Sequence, residues 1–197
     1  MLSLDRILGT AIALGLDRFS VAGVARDLGV TDMAIYRYVR SRDDLYARAA
    51  ARAHATFPEP RVPPGWQDYL VEVADHAWHL AHRHPGIERY LLDGPYHPET
   101  LAAFDASIGR LRALAPEFGP EEAYVLLSRV TSVALAAADN ALSRRYQEDP
   151  DRPGELFGWT VRALVEGMAG LLARGVLPAN RAALSLGQES AISPSPS

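Results

Sequence analysis

Phe19-Ser20-Val21-Ala22-Gly23-Val24-Ala25-Arg26-Asp27-Leu28-Gly29-Val30-Thr31-Asp32-Met33-Ala34-Ile35-Tyr36-Arg37-Tyr38-Val39 is the stretch whose reading decides the fold. Two short helices meet at a sharp angle only under three conditions. The first helix needs a small residue at the crossing, which Ala25 supplies. The turn needs a residue that tolerates positive φ, which Gly29 supplies. The second helix needs apolar residues facing back, and Val30, Ile35 and Val39 supply them. An Ala, a Gly four residues on and a branched residue six further have the spacing of a helix-turn-helix. Ser20 can cap the first helix and Thr31 or Asp32 the second. The spacing also suits an ordinary helical hairpin in a larger bundle, since Gly often follows a short helix. Two features favour the first reading. The second helix exposes Asp32, Met33, Arg37 and Tyr38, side chains able to enter a major groove. Arg42 then opens a further helix, where backbone amides also bind phosphate.

Outward from this segment almost everything reads as helix. Leu4, Ile7, Leu8, Ala11, Ile12 and Leu14 recur at threes and fours behind Ser3, a candidate N-cap. The second short helix runs from Val21 to Leu28 and the third from Asp32 to Val39. A fourth follows Ser41 to Phe57. The segment Pro58–Gly65 holds four prolines and reads as a domain seam. Beyond it the pattern predicts helices at about Trp66–Arg83, Pro85–Leu92, Pro98–Leu114, Pro120–Tyr146 and Glu155–Arg174. The chain is expected to be all-α. Residues 1–57 form a helix-turn-helix domain of three helices and a fourth that leads out of it, with the motif at about 20–39. Residues 58–187 form a second helical domain, and 188–197, ending Ser-Pro-Ser-Pro-Ser, a disordered tail.

Composition narrows the classes. The chain has 197 residues, no cysteine and 48% hydrophobic residues, enough for a packed core. Without cysteine there is no disulfide framework, thiolate zinc site or cysteine nucleophile. The longest apolar runs, such as Val133–Ala138, fall short of the roughly 20 residues a membrane span needs. The first residues lack a basic segment followed by an apolar run, so no signal peptide and a cytoplasmic location are expected. All 20 basic residues are Arg, which coding bias explains as well as function does. Residues 1–57 hold 8 Arg against 6 Asp, net +2, while the remainder holds 12 Arg against 18 acids, net −6. That asymmetry points to a nucleic-acid-facing N-terminus.

The pattern Val24-Ala25-x-x-Leu28-Gly29-Val30-x-x-x-x-Ile35-Tyr36-x-Tyr38-Val39-x-x-Arg42-x-x-Leu45 resembles the DNA-binding domain of the TetR family of bacterial transcriptional regulators. The likeness covers about residues 3–57. It implies that the third helix reads the major groove and that Tyr36, Tyr38 and Arg42, where the family usually has Lys, hold phosphates. The remainder is similar, on fewer residues, to the tetracycline-repressor subgroup: Gly65-Trp66-Gln67-Asp68-Tyr69-Leu70, then Arg83-His84-Pro85-Gly86, then a long helix from Glu121. That likeness implies a ligand-binding domain whose last two long helices pair with their twins in a homodimer.

Each side chain has its chemistry. Thr31, Asp32, Met33, Ala34 and Arg37 are placed towards DNA. Asp accepts from cytosine N4, Met or Ala touches a thymine methyl, and Arg forks onto guanine O6 and N7. Ser20, Tyr36, Tyr38, Arg40 and Arg42 suit phosphates, which set register without reading sequence. Arg37 would look the same as a solvated surface charge. Tetracycline repressors read a guanine with an Arg in the second helix, and here that position is Ala22, so a different double-stranded DNA operator is expected. One reading helix contacts few bases, so a dimer on a palindrome is expected. Its surface would be the helices at about 120–146 and 155–174, whose small residues permit close approach.

A small-molecule effector would bind among the later helices. Candidates between the fourth and eighth helices are His54 on the fourth and Trp66, Tyr69, Val73, Ala77 and Trp78 on the fifth. Leu91, Tyr96, Phe104, Ser128, Thr131, Ser132 and Trp159 follow further along. His54 matches a ligand-contacting His of the tetracycline repressors, but their metal-binding His falls at Leu91. Leu cannot coordinate magnesium, so no metal cofactor is expected and magnesium–tetracycline is disfavoured. His76, His79, His82 and His84 can be read as a metal cluster or as a solvated face. A metal-dependent all-α enzyme built on His76 and His79 is one alternative, although no nucleophile or HExxH motif accompanies it. A non-specific architectural DNA-binding protein is the other, and it calls for more positive charge. The favoured expectation is a ligand-released transcriptional repressor without enzymatic activity.

Overall fold

Ser3, Ser20 and Ser41 each precede a helix and accept a hydrogen bond from the amide three residues on, at 3.3, 3.0 and 3.0 Å. Each bond satisfies an amide that the helix itself leaves open. They start α1 (Leu4–Leu14), α2 (Val21–Leu28) and α4 (Arg42–Thr56), with α3 (Asp32–Tyr36) between the last two. Further on lie α5 (Trp66–Arg83), α6 (Ile87–Asp93), α7 (Pro98–Leu114), α8 (Pro120–Leu142) and α9 (Glu155–Ala173). The computed structural model describes residues 1–142 and 154–176, and no strand occurs among them. The expected continuation of α8 to Tyr146, the stretch 177–187 and the tail 188–197 lie outside the described residues.

The first four helices gather on one apolar centre. α1 packs against α2 and α4, and α2 against α3. Ile7, Ala11, Val24, Ala25, Ile35 and Leu45 are fully buried there. Gly29 adopts φ 69° and ψ 34°, and its N–H bonds the carbonyls of Ala25 and Arg26. This left-handed residue ends α2 as expected. Thr31 stands at the N-cap of α3 but makes no side-chain capping bond. α3 ends at Tyr36 rather than Val39. The Tyr38 amide bonds Ile35 O at 2.9 Å, an i to i+3 closure that tightens the chain out of the α-helix. Val39 stays buried all the same.

The second group centres on α5, which packs along α8 and across α9, with α7 against α8. Ala74, Ala77 and Ala81 of α5 and Ala134 and Ala138 of α8 are small buried residues on these packed helices, and Leu70, Leu80, Leu127 and Leu135 are buried on them too. Small residues let the axes approach, and each buried Leu contributes about 1.5–3 kcal/mol of transfer free energy. α9 differs. It is long and apolar enough, by length and composition, to cross a membrane, although Arg162 and Glu166 break its apolar runs. Only 17% of its apolar window is buried. Leu156 and Trp159 are exposed on it.

Residues 84–89 join the two groups. α6 begins at Ile87 rather than Pro85 because Pro85 and Gly86 are used in a turn. Pro85 O accepts the Asp17 amide at 3.1 Å, and Gly86 takes φ 96°. The Tyr46 hydroxyl on α4 donates to Gly86 O at 2.6 Å. The Arg89 guanidinium lies 4.3 Å over the Tyr46 ring and 3.7 Å from the Asp43 carboxylate. A Cβ on Gly86 would stand 2.5 Å from Asp17 N and 2.8 Å from its Cα. Glycine is therefore required twice over, by conformation and by space. Replacing it, as Gly86→Ala, is expected to lower unfolding free energy by about 1–3 kcal/mol. Urea denaturation reads this, and an unchanged midpoint would show that the turn does not hold the two groups together.

Candidate nucleic-acid interface and ligand site

The exposed side of α2–α3 and the start of α4 carry the residues expected to meet DNA. Thr31, Asp32, Met33, Tyr36, Arg37, Tyr38, Arg40 and Arg42 are exposed, and Ala34 is half-buried. Met33 projects furthest among the apolar ones, at 74% exposure. An exposed thioether on a well-packed domain costs apolar hydration, which contact with another surface would relieve. Arg37 is the C-cap of α3, so its backbone is still helical while its side chain lies at the end of the helix. Three of the phosphate candidates already have partners within the chain. Ser20 Oγ caps α2, and Tyr38 donates to Leu2 O at 3.0 Å. The Arg42 guanidinium lies 5.2 Å over the Phe19 ring, with one nitrogen 3.5 Å from Phe19 O.

The corner before α4 is rigid. Asp44 Oδ2 accepts the Arg40 amide at 2.8 Å, and Ser41 Oγ accepts the Asp44 amide. Arg48 Nε reaches Asp44 Oδ1 at 2.8 Å. Burial raises the Asp44 carboxyl, but these donors outweigh it and hold it below its ordinary value. Arg40 and Arg42 are thus presented from a braced turn, with little motion needed in the backbone beneath them.

The interior candidates divide by location. Trp78 stacks on Phe157 of α9 at 4.3 Å and lies 4.2 Å from the His82 ring, which places it at the α5–α9 contact. Trp66 meets Phe118 edge-on at 5.0 Å. Phe104 of α7 meets Tyr124 of α8 at 5.7 Å, and Tyr96 meets Tyr90 at 5.9 Å. Tyr96 donates to Leu92 O, beside a half-buried Leu91. Ser128 is buried and bonds Val125 O, while Ser132 bonds Ser128 O; Thr131 is half-buried. Val73 and Ala77 are buried on α5. Trp159 does not line the interior, since it is 69% exposed on α9. Tyr69 is fully buried, and its hydroxyl has no hydrogen-bond partner among the described residues.

The histidines are not one cluster. His79 bonds Asp75 O and lies 3.3 Å from its carboxylate, and His82 bonds Trp78 O. His76 turns the other way. It meets Phe57 edge-on at 5.1 Å and interacts with His54 at the end of α4. Burial and then His54 lower His76 from 6.5 to about 4, against opposing pulls from the Pro58 backbone, Asp75 and Glu59. Burial also lowers His54. Among the described residues, no three His, Asp or Glu side chains are placed to share a metal ion. Sequence spacing put His76 with His79 because residues three apart share a face only loosely. The missed signal is register: Tyr69, Val73, His76 and Leu80 recur along one α5 stripe. Tyr124 and Phe57 were also missed, since each acquires a partner only across the fold.

Two outcomes follow from these environments. Between about pH 6.5 and 4 the unfolded chain binds more protons at His76 than the folded one. Stability from this group is complete above pH 6.5 and is lost as pH falls towards 4. His76→Gln should flatten that part of the stability–pH curve; identical slopes would mean the ring is solvated. Tyr69→Phe removes a hydroxyl that is buried without a partner. It should raise unfolding free energy by about 1 kcal/mol or leave it unchanged, and a clear loss in thermal melting would reveal a partner.

Comparison with known proteins agrees with this geometry. No protein-family model matches the chain. The HTH-type transcriptional repressor DrrR1 of Streptomyces coeruleorubidus is 25% identical over 158 residues, which cover 77% of this chain. The match spans 57% of that repressor's own length. The structure of a TetR variant from Acinetobacter baumannii AYE, in complex with minocycline, superposes with TM-score 0.73 at 19% identity, covering 87% of this chain and 98% of that one. The TetR family protein ActR of Streptomyces coelicolor, in complex with actinorhodin, gives 0.62 at 23% identity, covering 88% and 96%. The chain has the two-domain, all-helical fold of the TetR-family regulators.

Proposed function

We propose that this chain is a TetR-type transcriptional regulator: a cytoplasmic, homodimeric repressor that binds a palindromic operator and is released by a small-molecule effector. The observation that carries the reading is the α2–α3 unit. Gly29 in the left-handed region sets the angle, Ala25 and Ile35 bury the crossing, and the outer side leaves Asp32, Met33 and Arg37 exposed. The likeness of fold to TetR and ActR supports it, as does the kinship with a transcriptional repressor. Residues 1–57 carry only net +2, so a few placed arginines must act where bulk charge does not, which argues against non-specific DNA packaging. No catalytic residue is assigned.

Dimerisation is supported by α9. Its exposed Leu156, Trp159 and Leu171 form part of an apolar surface on a helix mostly unburied within one chain. Gly167 has open space around it, so a partner helix can approach its backbone. Release requires an effector that binds the two conformations unequally. The interior polar groups around α5, α7 and α8 support an effector site there, with His54, Trp66, Tyr69, Tyr96, Phe104 and Ser128 as its strongest candidates. Leu91 offers no metal ligand, which supports a ligand that needs no magnesium.

In vitro selection of bound DNA by the full chain tests the reading. A palindromic consensus is expected, and no enrichment at low salt would overturn it. Arg37→Ala should relax preference at one base pair at a cost of about 1–3 kcal/mol. Equal weakening on every sequence would remove its base-reading role. Arg42→Ala should weaken binding on all sequences and reduce the salt slope by roughly one phosphate.

A further inference from the structure

We infer that Met33 is a redox modification site: oxidation of its thioether to the sulfoxide by a peroxide weakens the grip on DNA, and reduction restores it. The inference rests on the regulator reading above and adds a regulation of the same surface. The chain has three methionines and no cysteine, so its sulfur chemistry is thioether chemistry alone. Met168 is partly buried against the core, and Met1, the first residue, is fully exposed. Met33 is 74% exposed on the outer side of α3, among the side chains placed towards base edges. An oxidant reaches a thioether only where solvent does. Ile35, two residues on, is fully buried and anchors this short helix to the core, so Met33 is not what holds α3 in place.

In the step itself, the sulfur lone pair attacks one oxygen of hydrogen peroxide. An S–O bond forms as the O–O bond breaks, and the other oxygen leaves as water. The thioether gives up two electrons and the peroxide takes them. The product is a polar, chiral side chain where a flexible apolar one stood. A thioether is a weak acceptor that packs readily on a thymine methyl. The sulfoxide oxygen is a strong acceptor, and against a methyl it loses its water without gaining a donor. Because Met33 lies outside the core, this change falls on the DNA contact and leaves the fold intact. A bound duplex covers the thioether, so the oxidant acts on unbound chain. It holds that chain off DNA until a methionine sulfoxide reductase removes the oxygen.

The test uses the full chain and a duplex carrying the palindrome recovered by in vitro selection. Hydrogen peroxide is added to the chain alone and to its complex. Peptide mass spectrometry locates the added oxygen, and fluorescence anisotropy reads affinity. Met33 should gain its oxygen before Met168, and the duplex should protect it. The oxidised chain should bind roughly ten- to hundredfold more weakly, with unchanged circular dichroism. Reductases for both sulfoxide epimers should restore binding. Met33→Leu keeps an apolar contact and should hold its affinity through peroxide treatment, which separates Met33 from Met1. Met33→Gln, a polar stand-in for the sulfoxide, should bind as weakly as the oxidised chain with no peroxide added. Oxidation of Met33 without loss of affinity, equal oxidation with and without the duplex, an equal loss in Met33→Leu, or full affinity in Met33→Gln overturns the inference and leaves the regulator reading standing. If selection yields no preferred duplex, the regulator reading fails, and this inference with it.

Discussion

The contact on which this structure turns is backbone on backbone. Pro85 and Gly86, at the end of α5, lie against Leu16 and Asp17 at the end of α1, close enough that no side chain fits between. One amide–carbonyl bond, one tyrosine hydroxyl and one guanidinium over a ring surround that approach. None of these contacts is strong alone, and each is worth about 0.5–2 kcal/mol. Their effect is geometric. They hold the first four helices to the remaining ones at a place where sliding would bring backbone atoms into collision. The turn that precedes α6 thus touches the chain just after α1 and, through Tyr46, α4.

The linker reinforces this on the opposite side. Residues 58–65 contain four prolines and make no helix, yet Arg61 forks onto Glu72 of α5 and Glu59 pairs with Arg110 of α7. These pairs are solvent-exposed and contribute little to stability. They do limit where the end of α4 can lie. Between the linker and the Pro85–Gly86 turn, α4 touches α1, α6 and α7 in one length. It belongs structurally to both domains, whatever boundary is drawn at residue 57. His54 lies near its far end, the Tyr46–Gly86 bond nearer its start, and Arg42 opens it. His54 and Arg42 thus stand at the two ends of one helix.

Much of this was legible from residue order, for local reasons. Trp66–Arg83 and Pro98–Leu114 came out with the boundaries observed, because prolines, glycines and capping residues bracket clean apolar periods. α3 and α6 came out too long. In both cases a tertiary contact claims the terminal residues: Tyr38 ties to Leu2, and Pro85 to Asp17. The apolar residues of α9 were read as a dimer face, but not that the helix as a whole is apolar enough to cross a membrane, since Arg162 and Glu166 interrupt its runs. For the candidate sites, the exposed side of α3 was legible because the exposed and buried faces of a short helix follow from its register. The interior candidates were legible only as a set of residues.

What the sequence determined alone is the order of helices, the Gly29 turn, the three serine caps and the split of charge between the halves. All depend on residues within a few positions of one another, where propensity and hydrogen-bond reach decide. Only the tertiary structure decided that His76 belongs with Phe57 and not with His79. It alone set Tyr69's hydroxyl without a partner, put Gly86 against Asp17, and turned Trp159 outward. These facts join elements tens of residues apart, and no local period encodes which face of one helix another will cover. Burial, which changes an imidazole's affinity for a proton, exists only once the helices have packed.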